Sequence, residues 1–223
     1  MKTIVISGAA GVLGNLAAKT FAQRGHNLAL LGRDQTKLDD LVRDLDLPNE
    51  RSYTRGIDLL DHPAVQASAE AVHAKFGGIQ ALIHLVGGWT GGKTIPESNA
   101  GDLEAMLNQH VWTTFHLLQA YTPHIDSGRE AWGRIMIVSM PVTVRPAAKM
   151  ALYAAAKSAQ ESLVLTLAEE YRDSGLTANI IQVRSIDTRN EGRGTAPAEI
   201  VSAMEYLFSD AANKVNGARI PLY

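Results

Sequence analysis

Tyr153 and Lys157 are the side chains whose types and spacing are best suited to acid–base chemistry. They lie in the segment Leu152–Lys157, and residues 150–171 around them are apolar at helical spacing. Residues four apart stand on the same face of a helix. A free tyrosine titrates near pH 10, and a neighbouring ammonium in a dry cleft is predicted to lower that pKa. The pair is therefore predicted to give or take a proton during a reaction, the alternative being a core tyrosine beside a surface lysine.

A glycine-rich turn near the N-terminus predicts the site of a dinucleotide. The β-rich run Lys2–Ser7 leads into the segment Gly8–Gly14, which reads GAAGVLG, and a helical pattern follows at once. A strand, a glycine-rich turn and a helix form the context that a dinucleotide fingerprint requires. Gly8 allows the tight turn, Gly11 lets the backbone approach a pyrophosphate, and Gly14 lets the helix pack close to the sheet. The helix N-terminus then faces the anion.

Alternating strand and helix patterns predict the elements that position these residues. Such alternation predicts a parallel sheet with helices on both faces, and near-continuous apolar strands fit a sheet that is buried on both sides. The predicted strands are Thr3–Ser7, Asn27–Leu31, Arg51–Gly56, Ala81–Val86, Arg134–Ser139, Thr177–Val183 and Ala218–Pro221. The predicted helices are Val12–Arg24, Gln35–Asp46, Pro63–Phe76, Ala100–Tyr121, Ala151–Asp173 and Pro197–Ser209. We therefore predict a single-domain α/β Rossmann fold over residues 1–223, with a doubly wound parallel sheet of about seven strands.

Composition and charge argue against several kinds of partner. The chain has 223 residues, and 21 Lys and Arg against 23 Asp and Glu give a net charge of −2. This balance argues against a nucleic-acid or polybasic membrane partner. There is no cysteine, no signal-like start and no run of about 18 apolar residues, so we expect a cytoplasmic protein without disulfides. The seven histidines show no metal-ligand spacing, and we predict no metal site.

In its two motifs the chain resembles the short-chain dehydrogenase/reductase family. The turn Ser7–Gly14 is similar to the cofactor turn of that family, and Tyr153 with Lys157 is similar to its catalytic pair. The resemblance covers nearly the whole chain and implies an NAD(P)-dependent oxidoreductase that acts on a small molecule. Long helices over residues 100–121 and 151–173 pair across a two-fold axis in relatives, so we expect a homodimer or homotetramer. The implied cofactor-binding residues are Gly8, Ala10, Gly11, Val12, Leu13, Gly14, Arg33, Asp58, Leu59, Val86, Gly87, Tyr153, Lys157, Ile186 and Thr188.

The end of the second predicted strand bears on the choice of cofactor. By resemblance, Gly32 stands where NAD-binding relatives carry an acidic residue. The guanidinium fork of Arg33 suits the oxygens of a 2′-phosphate, so we expect NADP(H) rather than NAD(H). Against this, Asp34 is adjacent and Ala10 is not basic. A solvated loop charge is the alternative for Arg33.

Four further cofactor residues rest on the resemblance alone. Asp58 follows the third predicted strand and in relatives accepts from the adenine amino group, with Leu59 lining that pocket. A residue of a helix N-cap region is the alternative for Asp58. Ile186 and Thr188 match family residues that contact the nicotinamide carboxamide and a nearby phosphate. Just before them, the usual Pro-Gly is replaced by Val183-Arg184.

Three other positions depart from the family pattern. The catalytic serine of relatives lies thirteen residues before the tyrosine, a position held here by Met140, and one step along a strand turns Ser139 to the other face. Ser139 after a local bulge, or Thr143, is expected to replace that hydroxyl, with Met140 and Thr143 near the substrate. His110 stands where relatives carry an asparagine that holds a water beside the lysine. We take it as a candidate proton relay, the alternatives being a missing relay and a half-buried helix residue. His84 also replaces an asparagine and is predicted to be a hydrogen-bonded core histidine.

A local resemblance to the quinonoid dihydropteridine reductases gives a second hypothesis. The segments Val86–Gly92 and Gln109–Thr114 are similar to that branch, which keeps the tyrosine and lysine and lacks the usual serine and asparagine. Trp89 is then predicted to stack on a flat heterocycle, the alternative being a loop anchor. That branch prefers NADH, which Arg33 does not favour.

The sequence thus predicts a reductase that passes hydride from NAD(P)H to a carbonyl carbon or an electron-poor ring. Tyr153 would protonate the developing anion, and Lys157 would lower the Tyr153 pKa and bind the nicotinamide ribose. The remaining alternative is a dinucleotide-binding sensor without catalysis, which the altered serine and asparagine positions favour and the intact Tyr153 and Lys157 oppose.

Overall fold

A parallel sheet forms the centre of the protein. The structure is a computed structural model that describes residues 1–125, 132–189 and 191–223. In the described part of the chain the seven strands are hydrogen-bonded in the order β3-β2-β1-β4-β5-β6-β7, and every pair is parallel. The strands are β1 (Thr3–Ser7), β2 (Asn27–Gly32), β3 (Ser52–Gly56), β4 (Ala81–His84), β5 (Gly133–Ser139), β6 (Leu176–Gln182) and β7 (Arg219–Pro221). The helices are α1 (Val12–Gln23), α2 (Gln35–Asp44), α3 (His62–Phe76), α4 (Ala100–Leu107), α5 (Thr113–Tyr121), α6 (Ala151–Glu170) and α7 (Pro197–Phe208).

Helices cover both faces of this sheet, which confirms the predicted doubly wound fold. Ile4, Leu30 and Met136 pack on one face against α1, α2 and α7. Val5 and Leu82 pack on the other face against α3, α5 and α6. Each such side chain, when fully buried, stabilises the fold by roughly 1.5–3 kcal/mol. None of the helices in the described ranges has the length and apolar character that a membrane crossing requires.

The strand order creates a crevice between the ends of β1 and β4. The chain builds outward from β1 to β3 and then returns to place β4 on the other side of β1. Ser7 and His84 are register partners at the carboxyl ends of these two strands. Ligands of open α/β sheets bind at such a switch point, outside the carboxyl ends of the strands. The fold therefore predicts a ligand site at the carboxyl ends of β1 and β4.

The predicted elements are all present, and two of them differ in a way that matters for this edge. The strand predicted to reach Val86 ends at His84, so the loop toward Trp89 leaves the sheet. The helix predicted over Ala100–Tyr121 contains a π-helical turn at Asn108–Trp112. A π-turn inserts one residue into a helix and is frequent at functional sites, and apolar periodicity does not reveal it. The other bounds differ from prediction by a few residues at the element ends.

Candidate active site

The glycine turn between β1 and α1 lets the helix come unusually close to the strand end. A Cβ added at Gly14 would lie 2.2 Å from the carbonyl oxygen of Gly8 and 2.7 Å from Cα of Ala9. The Gly11 N–H donates to the Gly8 carbonyl at 3.0 Å, which closes the turn. The first turn of α1 holds no acidic side chain, so its N–H groups face the crevice without a competing carboxylate. The turn thus fits a pyrophosphate at a helix N-terminus.

A cavity of about 670 Å³ opens above this turn. Among the predicted cofactor residues, its lining includes Gly8, Ala10, Gly11, Arg33, Asp58, Leu59, Val86 and Gly87. The carboxylate of Asp58 accepts from the Leu60 N–H at 3.0 Å. The N-cap of α3 itself is Asp61, and Asp58 stands in the turn just before it, so its carboxylate both lines the cavity and supports the start of that helix.

The far end of this cavity carries two cations, Arg33 and Lys37. Asp34 caps α2, because its Oδ1 accepts from the Lys37 N–H at 3.2 Å. Its Oδ2 lies 3.6 Å from the Lys37 ammonium. The Asp34 carboxylate, whose presence in the sequence argues against an NADP(H) preference, is therefore bound to the first turn of its own helix. Lys37, on the first turn of α2 and four residues after Arg33, was not among the residues predicted from the sequence.

A second cavity of about 310 Å³ adjoins the first and collects most of the predicted catalytic residues. The two cavities share Leu85, Val86 and Gly87 in their linings. The predicted residues that line the second cavity are Leu13, Val86, Gly87, Trp89, His110, Ser139, Met140, Tyr153, Lys157 and Ile186. One elongated ligand can therefore extend from the glycine turn to Tyr153.

Lys157 is held in this cavity by two acceptors. Its ammonium donates to the carbonyl of Val138 at 2.9 Å and to Oε1 of Gln160 at 2.8 Å. Burial lowers the pKa of Lys157 to about 8, and the nearby Glu161 carboxylate opposes that effect. The ammonium thus keeps one N–H for a further partner.

Tyr153 behaves differently from the sequence prediction. Its ring centre lies 5.9 Å from the Lys157 ammonium, which is directed at Val138 and Gln160 instead. Burial raises the pKa of Tyr153 to about 12. The predicted lowering of this pKa by Lys157 is therefore wrong, because desolvation of the phenolate is the larger effect. At neutral pH the hydroxyl is protonated and available as a donor.

A buried hydrogen-bond chain leads from Lys157 to the π-turn. Nε2 of Gln160 donates to Oγ1 of Thr114 at 2.8 Å, and that hydroxyl donates to the carbonyl of His110 at 2.6 Å. Lys157, Gln160, Thr114 and His110 are all at most 5% exposed. The chain ends at the backbone of His110 and does not include its ring.

The His110 ring lies between the loop after β4 and Tyr153. Its Nε2–H donates to the carbonyl of Gly88 at 2.9 Å, which leaves Nδ1 as a buried acceptor with no partner among the described residues. Burial and the Lys157 charge lower the pKa of His110 to about 4. Its edge meets the Tyr153 ring at a centroid distance of 5.4 Å. A Cβ at Gly87 would lie 3.0 Å from Cε1 of His110, so glycine permits this approach. The ring's role as a proton relay stays a prediction.

Of the two candidate hydroxyls, the structure brings only Ser139 to the cavity. Oγ of Ser139 is buried and has no partner among the described residues. Oγ1 of Thr143 lies 3.0 Å from Oε1 of Glu161 and accepts from Nε2 of Gln182 at 3.1 Å. The prediction that Thr143 replaces the catalytic hydroxyl or lies near the substrate is wrong, because these contacts hold it behind the site.

A comparison with models of known protein families identifies the family of this chain. A family model described as short chain dehydrogenase matches residues 2–197, a range that contains the glycine turn, Ser139, Tyr153 and Lys157. The chain belongs to the short-chain dehydrogenase family. The matched range runs from β1 to the first residue of α7 and so covers both cavities.

Curated relatives and solved structures agree with this membership of the short-chain dehydrogenases. The meso-2,3-butanediol dehydrogenase of Serratia marcescens is 26% identical, and the match covers 99% of this chain and 92% of the relative. The D-threitol dehydrogenase of Mycolicibacterium smegmatis is 28% identical over 97% of this chain and 89% of the relative. A Brucella melitensis structure titled short-chain dehydrogenase/reductase, glucose/ribitol dehydrogenase, is 26% identical with a TM-score of 0.87, covering 99% of this chain and 94% of that one. The local resemblance to dihydropteridine reductases is not shown by these matches.

His84 confirms its prediction as a hydrogen-bonded core residue of this short-chain dehydrogenase. Its Nδ1 lies 2.6 Å from Oγ of Ser7, and its Nε2 lies 3.5 Å from Oγ1 of Thr113. Thr113 donates its proton to the carbonyl of Gln109, so His84 donates from Nε2 and accepts from Ser7 at Nδ1. Burial lowers the pKa of His84 to about 3 and keeps it neutral. The residue joins β1 and β4 to the π-turn beneath the crevice.

Behind the site, Glu161 joins four parts of this short-chain dehydrogenase. Its side chain on α6 is fully buried and accepts from Nε2 of Gln182 at 3.0 Å. Its other oxygen accepts from Nε of Arg219 on β7 at 2.6 Å, and Thr143 completes the group. Gln160 and Glu161 were not predicted, although polar residues at buried positions of a helix are a signal that the sequence carries.

Other predicted residues lie at the edge of the site or outside it. Trp89 is 60% exposed and lines the rim of the smaller cavity. Val12 is exposed on the first turn of α1, Thr188 is exposed after β6, and neither lines a cavity. Their contacts with a cofactor stay predictions. Gly14 lies beneath the turn and acts through the close approach of α1.

Proposed function

We propose that this short-chain dehydrogenase transfers hydride between a nicotinamide cofactor and the carbonyl carbon of a small molecule. The observation that carries the proposal is the single cavity that brings Tyr153, Lys157 and the unpartnered Ser139 hydroxyl together beside the glycine turn. The names of the butanediol and threitol relatives, both dehydrogenases of alcohols, support this reaction class. The proposal treats residues 1–223 as one dinucleotide-binding domain, because one sheet carries both cavities.

The residues that would hold the cofactor follow from the two cavities. The turn at Gly8 and Gly11 would face the pyrophosphate, and Asp58 the adenine. Arg33 and Lys37 favour a 2′-phosphate, so we propose a preference for NADP(H) over NAD(H). When bound, the nicotinamide supplies or accepts the hydride. The free N–H of Lys157 would donate to its ribose.

Proton handling is assigned to the chain's own side chains. Tyr153 donates its proton to the carbonyl oxygen as negative charge develops there. Its raised pKa keeps the hydroxyl protonated at neutral pH but makes it a weaker acid, so the transfer needs a positive charge that stabilises the phenolate. Lys157 stabilises the resulting phenolate through its positive charge, in the role of an activator. Ser139 donates a hydrogen bond from Oγ to the same carbonyl oxygen, in place of the hydroxyl that Met140 cannot supply.

The test is cofactor titration followed by turnover measurement. Fluorescence titration with NADPH and NADH should give the lower Kd for NADPH. Oxidation of the bound cofactor is then followed with small ketones, aldehydes, diketones and chemically generated quinonoid dihydropterin. Turnover of carbonyl compounds is expected. Cofactor binding without turnover of any compound would contradict catalysis and point to the sensor, and turnover of the pterin alone would point to a reductase of that ring. The comparisons favour neither alternative.

The activity of the reductase should fall as pH rises through about 8. The Lys157 ammonium is charged below its pKa, which burial lowers from 10.5 to about 8, and it loses its charge above it. Since the charged form supports the phenolate and the ribose contact, kcat/KM for reduction should fall about tenfold per pH unit above the pKa. The profile is measured from pH 6 to 10 in overlapping buffers, with Lys19→Met on the exposed face of α1 as control. A flat profile to about pH 9.5 would contradict this role.

We also propose that α5 and α6 form a contact between copies of the chain, giving a homodimer or homotetramer. An apolar cavity of about 400 Å³ lies between these helices on the surface, lined in part by Phe115, Leu118 and Tyr171. Trp112 and Phe115 are exposed beside it. Sedimentation at micromolar concentration should give particles larger than the 24.0 kDa chain. Particles of the monomer mass alone would remove the proposal.

A further inference from the structure

Arg184 is a cation at the mouth of the catalytic cavity. It lines the same cavity as Tyr153 and Lys157, and its side chain is exposed. Its backbone is fixed on both sides, because the Val183 N–H donates to the carbonyl of Ser139 at 3.0 Å and the Ser185 carbonyl accepts from the Thr195 N–H at 2.9 Å. The backbone at Arg184 is therefore fixed beside the cavity that the residue lines. The usual family residue at this position, glycine, offers no such group.

No carboxylate neutralises this end of the cavity. Among the described residues of its lining, Lys157 and Arg184 are cationic and none is Asp or Glu. Within the described ranges, no carboxylate forms an ion pair with Arg184. The nearby carboxylate of Asp187 accepts from the Glu191 N–H at 2.9 Å and the Gly192 N–H at 2.7 Å. A low-dielectric cleft lined by one sign of charge attracts ligands of the opposite sign.

The aromatic ring of Tyr223 supports one side of the guanidinium. The guanidinium carbon of Arg184 lies 5.2 Å from the centre of that ring. This cation–π contact draws the guanidinium toward the ring and leaves its N–H donors available to a ligand. A carboxylate matches two of those donors in a bidentate pair. A planar carboxylate is also a small anion, which suits a cavity of about 310 Å³ that must also admit the nicotinamide.

We propose that Arg184 binds a carboxylate of the substrate, so that the enzyme acts on oxo acids or the corresponding hydroxy acids. This inference rests on the proposed function, because it assigns the substrate class of the same cavity. Arg184 fixes the acid group at the mouth, and the carbonyl carbon then reaches the position between Tyr153 and Ser139. The residue determines specificity and takes no part in proton transfer.

The test compares oxo acids with their methyl esters. The substrates are pyruvate, acetoacetate and levulinate, in which the distance between carbonyl and carboxylate increases, each beside its ester. For wild type, Arg184→Gln and the control Arg193→Gln, kcat/KM is measured with the preferred cofactor. Arg193 is exposed in the following loop and lines neither cavity. Dissociation constants of the same acids for the cofactor-loaded enzyme are measured by cofactor fluorescence, which does not require turnover.

For at least one acid, Arg184→Gln is expected to lower the acid-to-ester ratio of kcat/KM by at least about tenfold, and to weaken acid binding similarly. Arg193→Gln should leave both values unchanged. Comparing the acid-to-ester ratio of each variant with that of the wild type cancels the intrinsic difference in reactivity between acids and esters. Turnover with a ratio that Arg184→Gln does not alter would overturn the carboxylate site and leave the proposed function standing. Arginine-dependent acid binding without any turnover would overturn the proposed function and support the site. An acid that is neither bound nor reduced at any chain length would overturn the inference, whatever the esters do.

Discussion

Replacing Tyr153 by Phe is expected to lower kcat by about 10²–10⁴-fold while the affinity for the cofactor stays within about threefold. The substitution removes the proton donor and keeps the ring, whose contact with the edge of His110 at 5.4 Å is preserved. The phenol is protonated at neutral pH because burial raises its pKa to about 12. Its loss removes the group that gives its proton to the carbonyl oxygen in the proposed mechanism, and Ser139 in the same cavity supplies only a hydrogen bond. Steady-state turnover and a fluorescence titration measure the two quantities.

The matched control for this substitution is Tyr206→Phe. Tyr206 lies on α7, is 47% exposed, and lines neither cavity. It should retain full turnover. Near-complete activity of Tyr153→Phe with any substrate would remove Tyr153 from the mechanism, whereas a loss of cofactor affinity equal to the loss of kcat/KM would give it a binding role instead.

Replacing Arg219 by Met is expected to lower the free energy of unfolding by about 2–4 kcal/mol at pH 7. The change removes the cation that is hydrogen-bonded to the fully buried carboxylate of Glu161. Among the described residues, Thr143 and Gln182 remain as neutral donors, and the Lys157 charge acts on the carboxylate without an ion pair. This loss in the free energy of unfolding is smaller than for a completely buried ion pair, because the Arg219 side chain is 38% exposed to water. Urea denaturation with an unchanged m-value measures it.

The double variant Arg219→Met, Glu161→Gln provides the decisive comparison. Removing the charge that was left unpaired should recover much of the lost stability, since an uncompensated buried charge costs more than a neutral amide. Arg172→Met is the control, because Arg172 pairs with Glu169 on the surface and should cost less than about 1 kcal/mol. A double variant no more stable than Arg219→Met would show that the charge of Glu161 is not the cause.

The sequence predicted those parts of the site that depend on local spacing. The turn from Gly8 to Gly14 and the pair Tyr153 and Lys157 are each contained within about two helical turns of chain, so residue types at fixed offsets sufficed. The sheet followed from alternation of apolar strands and amphipathic helices. Val12 and Thr188 were predicted from family register alone, and neither lines a cavity, because register identifies a position and not the direction of a side chain.

What the sequence did not predict depends on contacts between distant segments. Gln160 meets Thr114 across 46 positions, and Glu161 meets Arg219 across 58. Thr143 is likewise held behind the site by Glu161 and Gln182, which are 18 and 39 positions away in the sequence. The direction of the Tyr153 pKa depends on burial, which only the packed structure provides. Lys37 and Arg184 were missed because a surface cation has no sequence signal until a cavity is known to lie beside it.

The close packing of His110 against the loop after β4 constrains the order in which this site can change. A Cβ at Gly87 would lie 3.0 Å from Cε1 of His110, and one at Gly88 would lie 2.5 Å from Oε1 of Gln109. An alanine at Gly87 is therefore costly while the buried His110 ring keeps its place, whereas one at Gly88 meets only the flexible end of Gln109, which can move aside. If the smaller asparagine first replaces His110, the space at Gly87 opens and the second substitution becomes tolerable. Directed evolution of this cavity is thus expected to show strong epistasis between residues 87 and 110. A substitution at residue 87 should be tolerated after one at residue 110 and selected against before it.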